Sequence, residues 1–449
     1  MKKLIIPLLL VVLSSCGTTP NVLKNFLGSG PEDVDEAPKN PVTHSEIVSL
    51  VSSNNEFARL LNTPEIETLV SSYKAAKFRY QSTEASQGFI VSGSGDFGAR
   101  NEKNNEAVAV ATLTAQKSLD LQSENSLSLE ILEHQQELLL LDIRDAIDNV
   151  LAKVMAYELS GAHLERMRAI YDNYKSLYQQ NRAALDAAIS AGVINSSENF
   201  KFRKTLANYD RKIHDAVSAH ELLKLNVQKY IDVVEPRYVD ISSMSAQELA
   251  LRATSTKNVS EIEKLNRQAS ILLAEKSLLE AQKKPQGSMV SRLTSPASAD
   301  EDWSAFLGVN IILPIYDGGE KDLLVQEKIE QSKGVAASIN SFKQRNADAQ
   351  SQLERYLSDA ETSLAMLAEE QSLSNEIIED LKTRLGYGGA SISDLVSEML
   401  VLAELEFQVL DKQRELRSQA LEYAANFKIA CALTKSCDAI SGSIENIGK

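Results

Sequence analysis

The sequence predicts a mainly α-helical protein with a small β part, its plan used twice in one chain. Composition is the first reason. Of 449 residues only 10 are Pro and 1 is Trp, and aromatics make up 6%, which leaves few helix breakers and little material for a large mixed core. The second reason is a 3.5-residue apolar rhythm. Ile143, Ile147, Val150, Val154 and Tyr157 step by four and three, and Phe202, Leu206, Tyr209, Ile213, Ala216, His220, Leu223, Val227 and Tyr230 continue it for four heptads. Such a period means helices packed along one another in a left-handed sense. The third reason is repetition. Glu65–Leu69 (EIETL) returns as Glu261–Leu265 (EIEKL), 261 − 65 = 196 residues on, and Gln87-Gly88 returns as Gln286-Gly287, 286 − 87 = 199 on. AVAVATLTAQK, ending at Lys117, matches LGVNIILPIYD, ending at Asp317, 317 − 117 = 200 on. Gly192 with Glu198 matches Gly388 with Asp394, 388 − 192 = 196 on. Four matches in order at nearly one offset point to an internal duplication.

At the N-terminus, Lys2 and Lys3 precede the apolar run Leu4 to Leu13, which ends in small residues and Cys16. The run is too short to span a bilayer and has the layout of an export signal, so residues 1–15 are expected to be removed. Leu13-Ser14-Ser15-Cys16 resembles a bacterial lipobox, which implies that Cys16 carries acyl chains. Gly17, not Asp, follows it, which in such lipoproteins implies the outer membrane. An ordinary signal peptide with a chance cysteine is the alternative. Residues 16–45 hold Pro20, Pro31, Pro38 and Pro41 with Glu32, Asp33, Asp35 and Glu36, and read as a tether.

A first repeat is expected over 46–235: a helix, strands at about 88–99 and 107–114 around the polar turn RNEKNNE, then a long helical hairpin turning at 192–198. A linker, 236–257, leads to a second repeat over 258–428, with strands at about 287–294 and 303–313 and a hairpin turning at 386–394. From Gly319 to Gly388 is 388 − 319 = 69 residues, or ~100 Å of helix, the scale of a tunnel or rod. In the tail, 429–449, Cys431 and Cys437 could pair in an oxidising envelope. Their bond requires a turn, because on one continuous helix they would point to different faces.

The joint LPIYDGG between the fourth strand and its long helix is chemically specific. Pro314 has no N–H to donate to a neighbouring strand. Gly318 and Gly319 allow the chain to swing into the helix, and Asp317 stands where it could cap the helix start, with Glu320 in its first turn. In the first half Thr114, Gln116 and Lys117 stand where Pro314, Tyr316 and Asp317 stand, so that joint departs from the pattern. Phe89, Val91, Phe97, Val108, Val110, Trp303, Phe306 and Ile312 are the apolar candidates for a lipid-facing strand surface.

Several functions are excluded. A formal charge of −15 argues against a nucleic-acid binder. Gly93-Ser94-Gly95-Asp96-Phe97-Gly98 spells G-x-G-x-x-G, but a polar turn follows it where a dinucleotide site needs a helix. His44, His134, His163, His214 and His220 show no i, i+4 pair and no cysteine neighbour, so no metal site is expected; His220 lies on the heptad seam and reads as packed or pore-facing. No catalytic residues, cofactor or Walker motif are expected.

The duplicated halves, LPIYDGG and the Gly-x5-acidic turns, as in GGASISDLV, resemble the TolC family of outer-membrane efflux and secretion channels, over roughly Ser52 to Tyr423. The resemblance implies a homotrimer. Each chain would give four strands to a twelve-stranded transmembrane β-barrel and its long coiled-coil-like helices to a periplasmic α-barrel. It implies an exit duct of a tripartite efflux or type I secretion system, passively conducting substrate from a periplasmic adaptor protein and inner-membrane transporter, with outer-membrane lipid around the barrel. The turns bearing Gly192, Glu198, Gly388 and Gly389 would be the adaptor-docking tips. Asp394 matches the first of two acidic positions at the family's periplasmic constriction. Ser397 stands at the second, and Glu398 beside it is the substitute. A first-turn Asp stabilising its own helix is the other reading of Asp394. A lipid-anchored coiled-coil scaffold without channel activity is the alternative function, and it has no use for the strand hairpins.

Overall fold

The computed structural model describes residues 63–100, 106–119, 123–193, 196–231, 241, 244–255, 260–296, 302–314 and 317–433. Contacts divide the chain into Met1–Ser49 and Leu50–Lys449, and all described residues fall in the second unit. The expected signal peptide, Cys16 and its linker, and Cys437, lie outside the described residues.

The order is α1 (Pro64–Ser86), β1 (Ile90–Arg100), β2 (Glu106–Leu119), α2 (Glu124–Ser190), α3 (Ser196–Ile231), α4 (Ala246–Ser255), α5 (Ser260–Ala281), β3 (Gln286–Thr294), β4 (Ser304–Ile312), α6 (Glu320–Gly386), α7 (Ile392–Asn426) and a 3₁₀ turn, Ala430–Leu433. The two halves share one plan at one displacement. α5 starts 260 − 64 = 196 residues after α1, β3 286 − 90 = 196 after β1, α6 320 − 124 = 196 after α2, and α7 392 − 196 = 196 after α3. α2 and α6 are both 67 residues long.

This spacing corrects two sequence matches. Lys117 is not the counterpart of Asp317: it lies inside β2, paired with Met289. β2 runs 14 residues and β4 only 9, so aligning the ends of their alternating tracts misplaced the joint. Gln87 caps α1 whereas Gln286 begins β3, so that pair is not equivalent either.

Local chemistry accounts for the helix ends. Pro64 opens α1 with Glu65 and Glu67 in its first turn; its missing N–H costs nothing there and the acids meet the positive end of the helix. α2 and α6 end alike. Gly192 (φ 70°) and Gly388 (φ 76°) take the left-handed conformation. Val193 N–H then donates to the Ala188 carbonyl at 2.9 Å and Gly389 N–H to that of Arg384 at 2.9 Å, the six-to-one bond that satisfies last-turn carbonyls.

Beyond the sheet-proximal region, α2 packs on α3 and α7, and α7 on α6, giving the layer order α3–α2–α7–α6; nearer the strands, α1 and α5 flank α2, with α5 also on α6. The heptad residues form these seams. Ile143, Ile147, Val150 and Val154 of α2, and Phe202, Tyr209, Val227 and Tyr230 of α3, are buried. One core cluster joins four helices through Met167, Tyr174, Tyr209, Ile378, Met399 and Phe407. Ion pairs tie the shorter helices to the long ones: Lys264 of α5 bonds Asp142 at 2.5 Å and Asp145 at 2.6 Å on α2, and Lys328 of α6 meets Glu275 of α5 at 2.7 Å. Among the described residues no helix is long and apolar enough to cross a membrane.

Candidate functional site

The four strands form one antiparallel sheet in the order β1-β2-β3-β4, so among the described residues β1 and β4 each keep an unpaired edge. Residues directly opposite one another in such a sheet point to the same face. The register runs Val91↔Ala115, Ala115↔Ser291 and Ser291↔Leu307, and it sorts every position. One face carries Val91, Gly93, Gly95, Ala111, Leu113, Ala115, Leu119, Gly287, Met289, Leu293, Ala305, Leu307, Val309 and Ile311, with only Ser291 and Lys117 polar among its described side chains. The opposite face is mixed but mainly polar: it carries Ser92, Ser94, Asp96, Thr112, Thr114, Gln116, Ser118, Gln286, Ser288, Arg292, Thr294, Ser304 and Asn310, together with the apolar Ile90, Val110, Val290, Phe306 and Ile312. On the apolar face Leu307, Val309 and Ile311 are 56%, 62% and 60% exposed, and the strands pack chiefly on one another. Lys117 sits near the helix-proximal end of β2, its ammonium 5.4 Å from the Phe89 ring.

The apolar residues named from sequence as candidates for one lipid-facing surface do not share a face. Val110, Phe306 and Ile312 stand on the polar face, opposite in parity to Val91; size and apolarity alone do not say which side a strand residue occupies. Phe89 and Trp303 flank the strands. The side chains of Phe97 and Val108 lie outside the described residues. Phe306 has a local task, because its ring lies over Gly308 so closely that a Cβ there would sit 2.5 Å from it. The G-x-G-x-x-G tract lies within β1.

At the carboxy-terminal joint Gly318 (φ 70°) and Gly319 (φ 82°) are both left-handed. Asp317 does not cap α6 as expected. Gly319 is the N-cap, and the Asp317 carboxylate instead accepts the Gly319 N–H at 2.9 Å, an Asx turn that orients the chain before the helix. Pro314 follows β4 by two residues, and its own ring leaves no donor for a further rung. The amino-terminal joint uses a non-glycine, Ser123 at φ 58°, a position the sequence reading missed because serine carries no such signature.

At the tips, Ser391 and Asp394 make a reciprocal capping box. Asp394 N–H donates to Ser391 Oγ and Ser391 N–H to Asp394 Oδ2, both at 3.1 Å. The S-x-x-D spacing is the signal for it. Asp394 remains exposed. Glu398 does not stand beside it as a free carboxylate: it is half-buried and accepts a 2.6 Å bond from buried Ser374 on α6. Gly192, Gly388 and Gly389 form the two turns, where Val193 and Tyr387 are 70% and 89% exposed; the Glu198 side chain lies outside the described residues. His220 is packed, stacked 4.6 Å from Tyr157 and over Gly161. Among the described residues no group of three or more His, Cys, Asp or Glu is placed to hold a metal.

Near the chain's end, Asp148 of α2 is buried and accepts N–H bonds from Ala430 at 3.0 Å and Cys431 at 2.8 Å. Burial pushes its carboxyl up to about 6, against these two bonds and Lys428. Cys431 is disulfide-bonded. The outer helices of the layer leave apolar side chains bare: Phe200, Leu222 and Leu225 on α3, and Leu323, Met366 and Leu373 on α6.

No protein-family model matches the chain, and no curated protein matches it by sequence. Solved structures do match. The outer membrane protein VceC from Vibrio cholerae is similar at a TM-score of 0.62 and 12% identity, over 87% of this chain and 96% of that one. The outer-membrane channel OprN is similar at 0.61 and 14%, over 86% and 89%. CusC, whose structures concern folding and transmembrane channel formation, is similar at 0.60 and 14%, over 90% and 96%. At these identities the likeness is one of fold.

Proposed function

We propose that this chain, which has the fold of the TolC family of outer-membrane channels, is the outer-membrane exit duct of a tripartite efflux or type I secretion system. The observation that carries the reading is the sheet. Four strands have one almost wholly apolar face and, among the described residues, two unpaired edges, and through left-handed joints they continue into helices of 67 residues. In hydrocarbon an unpaired edge costs several kcal/mol for each unsatisfied group, roughly, so the sheet must close. Four strands are too few for a barrel, and three copies supply twelve. The bare apolar residues on α3 and α6, the two outer helices of the layer, support the same homotrimer. The apolar face would then meet lipid and the Ser, Thr, Gln and Asn face would line a water-filled lumen.

In this reading the helices extend into the periplasm as an α-barrel and conduct substrate passively. The turns at Gly192 and Gly388 dock a periplasmic adaptor coupled to an inner-membrane transporter. Asp394 rings the periplasmic constriction while capping its own helix. Cys16 carries the lipid anchor, and no catalytic residue or cofactor takes part. The scaffold alternative leaves the apolar sheet face without a purpose. Mass measurement in detergent together with conductance in planar lipid bilayers tests the proposal. A trimer that conducts is expected; a stable monomer with strand signal and no conductance overturns it.

A further inference from the structure

Between α2 and α7 lies a small open cleft lined by Leu159, His163 and Arg166 from one helix and Leu410, Gln413, Arg414 and Arg417 from the other. His163 is only 7% exposed; its Nε2 lies 3.5 Å from Asp411 Oδ1, while its buried Nδ1 has no hydrogen-bond partner. Arg417 Nε is likewise buried without a partner. Among the described residues none of the three guanidiniums forms an ion pair. They are close enough to act on one another: burial first, and then Arg414 and Arg166, hold His163 down to about 4, and burial followed by Arg166 lowers Arg417. Three positive charges thus stand near two carboxylates, Asp411 beside His163 and Glu415 within reach of Arg414, in a chain of formal charge −15.

A buried donor left unpaired costs about 1–3 kcal/mol, and guanidinium forks fit oxyanions by paired N–H bonds. We propose that the mouth of this cleft is a binding site for a small oxyanion of the phosphate class, held by the exposed Arg166 and Arg414 with Arg417 behind them. A diffusible ion suits the place better than a carboxylate presented by another chain. α2 and α7 are the inner pair of the α3–α2–α7–α6 layer, so a copy added at either outer helix would not reach the cleft. The bound ion would bridge two helices that lie far apart in sequence and strengthen their seam. The site does not depend on the channel reading.

The test uses the full-length protein in detergent with inorganic phosphate as the probe. Titration calorimetry and thermal unfolding are run in phosphate and in chloride at matched ionic strength. Saturable phosphate binding with a matching rise in Tm is expected in the wild type. Arg417→Gln should weaken binding about tenfold or more, as for loss of a charge-assisted hydrogen bond. Should Arg417→Gln fail to fold, Arg166→Gln at the exposed rim serves as the second variant, with the same expectation. Phosphate and chloride acting alike, variants that bind as the wild type does, or binding of an acidic peptide but not of phosphate would each overturn the proposal.

Discussion

Val309 and Asn310 are neighbours in β4 that pair with Met289 and Ser288 and point to opposite faces. Arginine placed at each in turn separates a lipid-facing surface from a water-filled one while keeping charge, volume and strand position nearly constant. Val309 lies near the middle of a 9-residue strand, where an arginine facing lipid costs about 2–4 kcal/mol per chain and one facing the lumen close to none. That difference is roughly 30- to 1000-fold in the equilibrium between inserted and unfolded protein. Trp303 is the only tryptophan and stands one residue before β4, so its emission reports insertion during urea titrations in lipid vesicles. Val309→Arg should lower the urea midpoint strongly and Asn310→Arg scarcely. Equal losses, or a larger loss for Asn310→Arg, would refute the face assignment and with it the barrel.

Asp148 offers a pH test. Its folded pKa of about 6 lies above the unfolded value of about 3.9, so the folded state holds the extra proton and stability falls as pH rises from about 4 through about 6. Going from pH 7 to 5 should stabilise the wild type by about 1 kcal/mol relative to Asp148→Asn, read from urea midpoints; parallel pH curves would contradict this. The comparison is with the variant because His163, depressed to about 4, acts in the opposite sense: its contribution is present above the unfolded value of about 6.5 and is lost as pH falls. Asp394→Asn should reduce cation selectivity in planar bilayers, since three carboxylates ~6 Å apart repel by ~0.7 kcal/mol per pair in water and ~3 at an effective dielectric of 20. Unchanged selectivity with a lowered Tm would leave Asp394 only its capping box. Cys16→Ala should abolish palmitate incorporation while export continues, and label persisting in the variant would remove the lipid anchor.

Local chemistry wrote much of this architecture directly into the chain. Heptad steps at Ile143 to Val154 mark a seam because a 3.5-residue period returns side chains to one helix face. Gly192 and Gly388 end helices because a residue without Cβ enters the left-handed region cheaply. The S-x-x-D of Ser391 and Asp394 announces a cap by spacing alone. Other features needed the assembled molecule. Alternation in a strand defines two faces without saying which is apolar across the whole sheet, and only the register that aligns Val91 with Ala115, Ser291 and Leu307 shows Phe306 and Ile312 on the polar side. The true joint at Ser123 stayed hidden because β2 outruns β4. The cleft of His163, Arg166, Arg414 and Arg417 depends on α2 lying beside α7, two helices distant in sequence. Which helices become neighbours is decided by how their buried stripes pack, a long-range outcome that no single stretch of sequence contains.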